Sequence, residues 1–493
     1  MTNTTNFYSL KNFLIIAIFI QLFRLGVLYF IMKDYGLYID EVYYWGWAQS
    51  FELGYFSKPP MIAWLIMLTT SIFGDGEIAT KIGSIFVYPL TSSIIYLIAI
   101  KLFNDNKIAF FSALSFLTLP AISMSSIIIS TDVVLLLFWS LSIYFFLKAI
   151  EEEQRKYWII AGFFAGCGML SKYNMVFFLI SAILVLILDK NYRQVFKNKD
   201  FYISIIVAFI IFIPNLYWQF THNFISFAHT KEISQVEKEL FHFDKMLEFL
   251  GSQFGVFGLI LFPVMLFLLF KFKTIFSDKS LKFLYLFVIP YFLFITILSL
   301  LSRAFANWSA PVYVAGTILV IAYLIKNGKI KLVKISLSLN ILLALVLYFY
   351  HPIMNTFGVE LTKKNDPYNR ISGWEKVAEN LDNIRKKYNY RLIFEDRKIM
   401  SEMIFYMKPH PFDSLIYNSE GVVTNHYHMF NNIDNKPLKG KFLYITRIDK
   451  PQFKDTEFEK IEFIKDIEIK LYKNYSIKCK VYFVENFLGY STK

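Results

Sequence analysis

Apolar residues in this chain run in long blocks rather than alternating with polar ones. The blocks cover residues 12–32, 80–100, 107–121, 133–149, 157–171, 174–189, 201–219, 248–271, 281–301, 307–325 and 331–350. Each approaches the ~20 residues that a helix needs to cross a bilayer, so the pattern predicts about eleven spans. A further block, 61–73, follows Lys58-Pro59-Pro60 and is short, which favours a helix lying on or re-entering the membrane. From residue 351 the charge density rises. There 371–385 reads as an amphipathic helix, and 390–394, 441–445 and 467–472 read as strands. The expected fold class is a polytopic α-helical membrane protein with a C-terminal external α/β domain. Residues 1–350 form the membrane domain, with a first external loop and juxtamembrane helices at 33–79, and 351–493 form the external domain.

Charge orients the spans. With 61–73 on the membrane surface, the loops around Lys101, Lys148, Lys190, Lys271 and Lys326 all fall on the side of Lys11. These are the lysine-rich loops, and the positive-inside rule assigns that side to the cytoplasm. Counting 61–73 as a span inverts every later loop and breaks the rule. The loops at 33–81, 122–131, 171–174, 220–245 and 302–306 are then external, with everything after His351. The first block, 13–32, is too long for a leader core and lacks a small-residue cleavage site, so it reads as a retained span.

Composition supports the membrane reading. The chain is 56% hydrophobic and 18% charged, with 54 Phe and 32 Tyr. Its mean hydropathy is +0.45. Soluble domains hold about 45–50% apolar and 25% charged residues. The net charge of +13 lies mostly in short loops, where an anionic leaflet accounts for it without nucleic acid. Cys167 sits in an apolar block and Cys479 near the C-terminus, so no disulfide framework or cysteine metal cluster follows. Gly162 and Gly166 form a small-xxx-small pair that predicts close helix packing.

The candidate chemistry lies on the external side. Ile39-Asp40-Glu41-Val42-Tyr43-Tyr44-Trp45-Gly46-Trp47 places two carboxylates before an aromatic helix, with Lys58 in the same loop. Either acid could be an N-cap, but a second acid, four aromatics and a lysine in one loop suggest a site at the membrane surface. Asp132 follows Ser130-Thr131 at the mouth of an apolar helix, as cap or as functional group. Lys58, Lys172 and Arg303 stand near outer helix ends, where they either snorkel or hold a lipid phosphate. His222, His229 and His242 have spacings that match no compact metal motif. The reading assigns no metal ligand and requires no cofactor; a divalent cation is permitted but not indicated. No Walker motif, nucleophile elbow or HExxH occurs. An external enzyme therefore needs an activated substrate delivered through the membrane, and a sugar on a polyprenyl phosphate meets that need.

An ordered set of motifs resembles the bacterial branch of the protein-mannosyltransferase and aminoarabinose (lipid A) transferase superfamily, which has the GT-C glycosyltransferase fold. The set is Asp40-Glu41-x-Tyr43-Tyr44, Phe56-Ser57-Lys58-Pro59-Pro60, Ser130-Thr131-Asp132, Leu170-Ser171-Lys172-Tyr173, Pro214-Asn215-x-x-Trp218 and Ala306-Asn307-Trp308-x-Ala310-Pro311. The resemblance implies an inverting transfer from an undecaprenyl-phosphate sugar to lipid A, another envelope glycolipid, a polysaccharide or a protein. It implies Asp40 as the leading catalytic residue and Asp132 facing the active cavity. Lys58 would hold the donor phosphate, with Glu41, Tyr43, Tyr44, Lys172, Tyr173, Arg303, Asn307 and Trp308 as substrate-binding candidates. It also implies a bacterial inner-membrane protein whose active site and C-terminal domain face the periplasm. Protein O-mannosylation is the runner-up acceptor chemistry. A secondary transporter or lipid flippase is the rival from another class, and it predicts midplane charges and paired broken helices that the sequence lacks.

Overall fold

The computed structural model describes residues 7–233 and 241–491. Part of the expected 220–245 loop lies outside the described residues. The chain divides into two compact units. One comprises Met1–Tyr29, Glu52–Gly54 and Lys58–Tyr350; the other comprises Phe30–Phe51, Tyr55–Ser57 and His351–Lys493. The sequence reading counts the first loop at 33–79 with the spans, whereas residues 33–51 and 55–57 of it group with the C-terminal residues. The reason is aromatic burial: helix Ile39–Trp47 lays Trp45 edge-on against Phe405 of helix Arg397–Tyr406, with centroids 4.8 Å apart.

In the membrane unit, seven helices among the described residues are long and apolar enough to cross a bilayer. They are Leu10–Ile31, Glu77–Phe103, Thr131–Glu152, Lys199–Thr221, Lys279–Leu301, Ala306–Lys326 and Ile330–Tyr348. The blocks at 107–121 and 157–171 form the shorter helices Asn106–Thr118 and Arg155–Met169. Block 174–189 becomes a short 3₁₀ turn and helix Val176–Leu188. Helix Met61–Phe73 has 13 residues, about 20 Å at 1.5 Å per residue, against a hydrocarbon core of about 30 Å. Block 248–271 departs from the expected single span: it is two helices, Phe243–Val256 and Leu261–Leu269. Gly258 in the break has φ +103°, and a Cβ there would lie 2.8 Å from Asn340 Oδ1, so the bend requires glycine.

Two features hold this unit together at close range. A Cβ on Gly162 would sit 2.2 Å from the Ser204 carbonyl oxygen, and one on Gly166 would sit 2.6 Å from Ile211. Helices Arg155–Met169 and Lys199–Thr221 thus meet backbone to backbone, as the small-residue pair predicts. Arg24 is buried in the first span. It donates to the Leu117 carbonyl at 2.7 Å and to the Ser123 and Ser126 hydroxyls at 2.9 Å each. These bonds satisfy groups left over where helix Asn106–Thr118 ends before Pro120.

The C-terminal unit is built on a five-stranded mixed sheet. Its strands are β1 (Arg391–Phe394), β2 (Leu415–Ile416), β3 (Leu438–Thr446), β4 (Phe458–Tyr472) and β5 (Tyr475–Phe487), in the order β2-β1-β3-β5-β4. β1 runs parallel to β2 and β3, while β3/β5 and β4/β5 are antiparallel. Ile393, Tyr417, Tyr444, Val484 and Phe487 fill its core. The helix expected at 371–385 is Trp374–Tyr388. It starts later because Gly373, at φ +90°, occupies the N-cap.

Candidate functional site

The sequence candidates divide between the two units. In the membrane unit, two distant loops converge on Asp132. It is the second residue of helix Thr131–Glu152, where the helix dipole favours a carboxylate. Its side chain does not cap that helix. Oδ1 accepts from Lys172 Nζ at 2.8 Å and Oδ2 accepts from Asn307 Nδ2 at 3.0 Å. Lys172 lies in the turn between helices Arg155–Met169 and Val176–Leu188, and Asn307 in the 3₁₀ turn Ala306–Ser309. The pair is largely buried, with side chains 13% and 6% exposed. Lys172 spends one of its three N–H donors on Asp132, which leaves two for another acceptor.

The neighbouring groups brace this junction. The Met61 N–H donates to the Leu170 carbonyl at 3.0 Å, which ties the Lys58-Pro59-Pro60 segment to the Lys172 turn. Lys58 itself is half-buried. The Tyr173 hydroxyl accepts from Gln219 Nε2 at 2.9 Å and donates to Asn215 Oδ1 at 3.3 Å. Asn215 also donates to the Leu53 carbonyl at 2.7 Å, and Trp218 Nε1 donates to Glu52 at 3.2 Å. Tyr173 therefore acts first as a strut. Trp308 accepts at its carbonyl from the Tyr291 hydroxyl at 2.8 Å, which in turn accepts from Asn174. Arg303 is exposed, and its guanidinium packs 5.6 Å from the Phe305 ring. His222 stacks on Trp218 at 4.0 Å.

An apolar cavity of about 230 Å³ lies in the same unit. Its lining includes Met169 and Met175, which flank the Lys172 turn in the chain, with Trp158, Val176, Phe178 and Phe212. No sequence motif marks it, because its lining residues come from four helices and differ in nothing from other lipid-buried positions.

The first-loop acids lie in the other unit, and the structure gives them opposite surroundings. Glu41 is fully buried and accepts the Tyr38 N–H at 2.8 Å, closing a capping box at the start of helix Ile39–Trp47. Asp40 is 63% exposed, with Oδ1 3.9 Å from Arg397 Nη2. An exposed pair at that distance is weak, so Arg397 holds the carboxylate only loosely. Tyr43 is buried; its hydroxyl accepts the His426 N–H, and the Arg397 guanidinium sits 4.6 Å from its ring. Burial pushes the Tyr43 hydroxyl pKa up. Tyr44 is buried beside Trp47 at 5.0 Å. Sequence reasoning missed Arg397 because it sits in no motif. Its only local signal is Asp396, which caps helix Arg397–Tyr406 by accepting from the N–H groups of Lys398 and Ile399.

The C-terminal unit offers one exposed carboxylate beside an arginine; the membrane unit offers a carboxylate locked to a lysine and an amide, and an apolar cavity. Residues 57–218 match the family described as dolichyl-phosphate-mannose-protein mannosyltransferase. The chain is 29% identical over 404 residues to a lipid A galacturonosyltransferase of Rhizobium johnstonii, covering 81% of this chain and 83% of that one. It is also 29% identical over 123 residues to an undecaprenyl phosphate-α-4-amino-4-deoxy-L-arabinose arabinosyl transferase of Pseudomonas savastanoi, 24% of this chain and 23% of that one. Its fold is similar to crystal structures of ArnT from Cupriavidus metallidurans, at 14% identity and 96% coverage of this chain and 97% of that one. The TM-score is 0.61 for the apo state and 0.59 for the state bound to undecaprenyl phosphate. The chain is a glycosyltransferase with the GT-C fold, and it is similar to members of the protein-mannosyltransferase and aminoarabinose-transferase superfamily.

Proposed function

We propose that this protein moves one sugar, with inversion, from a polyprenyl-phosphate donor to lipid A or the lipopolysaccharide core at the periplasmic face of a bacterial inner membrane. The observation that carries the reading is the buried Lys172–Asp132–Asn307 junction, together with an apolar cavity lined by Met169 and Met175, which flank the Lys172 turn in the chain. A prenyl chain needs an apolar slot and its phosphate needs a cation at the slot's end. The relative matching most of the chain is named for lipid A, and the ArnT structure holds undecaprenyl phosphate.

In this reading Asp132 and Asn307 position the Lys172 ammonium, whose remaining N–H donors meet the donor phosphate together with Lys58 and Arg303. As the bond from the sugar carbon to phosphate breaks, these cations stabilise the leaving phosphate. Asp40 faces the acceptor. For a hydroxyl acceptor it removes the proton, an effect worth about 10²–10⁴-fold. For an already ionised phosphate acceptor no proton needs removal, and Asp40 orients it or stabilises positive charge developing on the sugar carbon. Glu41, Tyr43 and Tyr44 hold the Asp40 helix in shape rather than touch the sugar.

Mass spectrometry of lipid A and core from cells with and without the gene tests the proposal. A mass difference of one sugar, restored by the wild-type gene and not by Asp40→Asn, is the expected result. Unchanged lipid A and core with altered glycoproteins would transfer the reading to protein O-glycosylation, the chemistry in the matched family's description.

A further inference from the structure

The C-terminal unit contains a polar cleft that the transfer reaction leaves unused. Its volume is about 600 Å³, and its walls include His351, Glu360, Asp366, Lys470, Tyr472 and Lys473. Sites for small ligands and headgroups span about 300–1,000 Å³. The cleft has a built floor. Asp366 is buried and accepts three bonds: from the Tyr368 N–H at 2.8 Å, from His351 Nε2 at 2.9 Å and from the Tyr472 hydroxyl at 2.6 Å. The His351 ring packs 4.5 Å from Tyr35, which fixes its orientation.

Charge in the cleft is unbalanced. Asp366 is satisfied by its three donors, so the groups open to a ligand are the exposed Lys470 and Lys473 and the exposed Glu360. No carboxylate lies within 4 Å of either lysine among the described residues. A third cation, Lys363, packs 4.1 Å from the Tyr475 ring, which stacks on Tyr472. In the segment that runs into the cleft wall at Glu360 and on to Lys363, Phe357 is 77% exposed and Val359 is 44% exposed. Exposed apolar side chains beside lysines are the composition of a surface that meets lipid. In the chain, His351 comes three residues after Tyr348, the last residue of an apolar helix.

We propose that this cleft holds a phosphate-bearing lipid headgroup. Lys470 and Lys473 take the phosphate, and Phe357 and Val359 enter the lipid beside it. The site does not depend on the transfer chemistry and stands or falls separately from it.

The test uses the full chain in phosphatidylcholine nanodiscs, with or without a minor fraction of phosphatidylglycerol, and counts retained phosphatidylglycerol by native mass spectrometry. Wild type is expected to retain one more molecule than Lys470→Ala/Lys473→Ala. The affinity difference is roughly thirtyfold, given the value of a lysine at an anionic surface. Lys470→Arg/Lys473→Arg should keep the lipid, and Phe357→Ser/Val359→Ser should release it with the lysines intact. All four positions are exposed, so none of these substitutions opens the core, and an unchanged melting temperature checks that each variant folds. Equal retention by wild type and the alanine variant overturns the proposal. So does binding of inorganic phosphate with no dependence on phosphatidylglycerol, which assigns the cleft to a soluble phosphate compound.

Discussion

Lys172 Nζ lies 2.8 Å from Asp132 Oδ1, and neither side chain is more than 13% exposed. Two charges taken out of water repay their desolvation only through each other and the bonds around them. Removing one partner leaves the other buried and unpaired, at a cost of about 3–5 kcal/mol. Lys172→Met should therefore lower the thermal midpoint in detergent sharply. The Lys172→Met/Asp132→Asn double variant should lose less than the sum of the singles. Additive losses would show that the two groups are not coupled.

Asp40 and Glu41 are adjacent in the chain and opposite in environment, which gives a clean separation of activity from stability. Asp40→Asn changes an exposed carboxylate and should leave the unfolding temperature unchanged while lowering sugar transfer to a hydroxyl acceptor by about 10²–10⁴-fold. Glu41→Met leaves the Tyr38 N–H without its acceptor inside a buried helix start, a loss of about 1–3 kcal/mol. Its defect should appear in the melting curve of purified protein, with kcat falling only as far as folded protein is lost. An Asp40→Asn protein with full transfer would remove Asp40 from the chemistry.

These contrasts also show what a sequence discloses. Nearly every apolar block is a helix, because twenty apolar residues have few other stable states in lipid. The split of 248–271 was hidden because hydropathy averages over Gly258, whose positive φ makes the bend. The motifs around Asp132, Lys172 and Asn307 were each visible. Their meeting was not, since it joins residues 40 and 175 positions apart along the chain. The capping role of Glu41 was masked because its box partner is Tyr38 rather than Ser or Thr. In the C-terminal unit, β1, β3 and the end of β4 were legible from β-branched and aromatic runs. β5 carries the run Val481-Tyr482-Phe483-Val484, a strand signal that the sequence reading passed over.

Asp366 makes stability depend on pH. Burial alone would raise its pKa, but the bonds from His351 and Tyr472 outweigh burial and hold it below the ordinary carboxylate value. A depressed folded pKa contributes stability that is present above the unfolded pKa of about 3.9 and is lost as pH falls through the folded value. The wild-type melting temperature should fall below about pH 4, and Asp366→Asn should flatten that part of the profile while lowering stability at neutral pH. Parallel profiles for the two proteins would assign the acid sensitivity to another carboxylate.

Glycines in two helices should respond oppositely to the same change. At Gly162 a methyl group would overlap the Ser204 carbonyl at 2.2 Å, and that atom is backbone, so relief requires helix Lys199–Thr221 to move. Overpacking of this kind costs about 1–3 kcal/mol. It would also shift the neighbouring cavity, which Gly162 and Ser204 both line. At Gly251, in helix Phe243–Val256, a methyl group meets nothing within 4 Å. There alanine only removes the helix penalty of glycine, worth about 0.5–1 kcal/mol in the stabilising direction. Gly162→Ala should thus lower the melting temperature and raise the KM for the prenyl-linked donor, whereas Gly251→Ala should raise the melting temperature with KM unchanged. If both variants shift in the same direction, the close approach of the two helices at Gly162 is not what the methyl group feels.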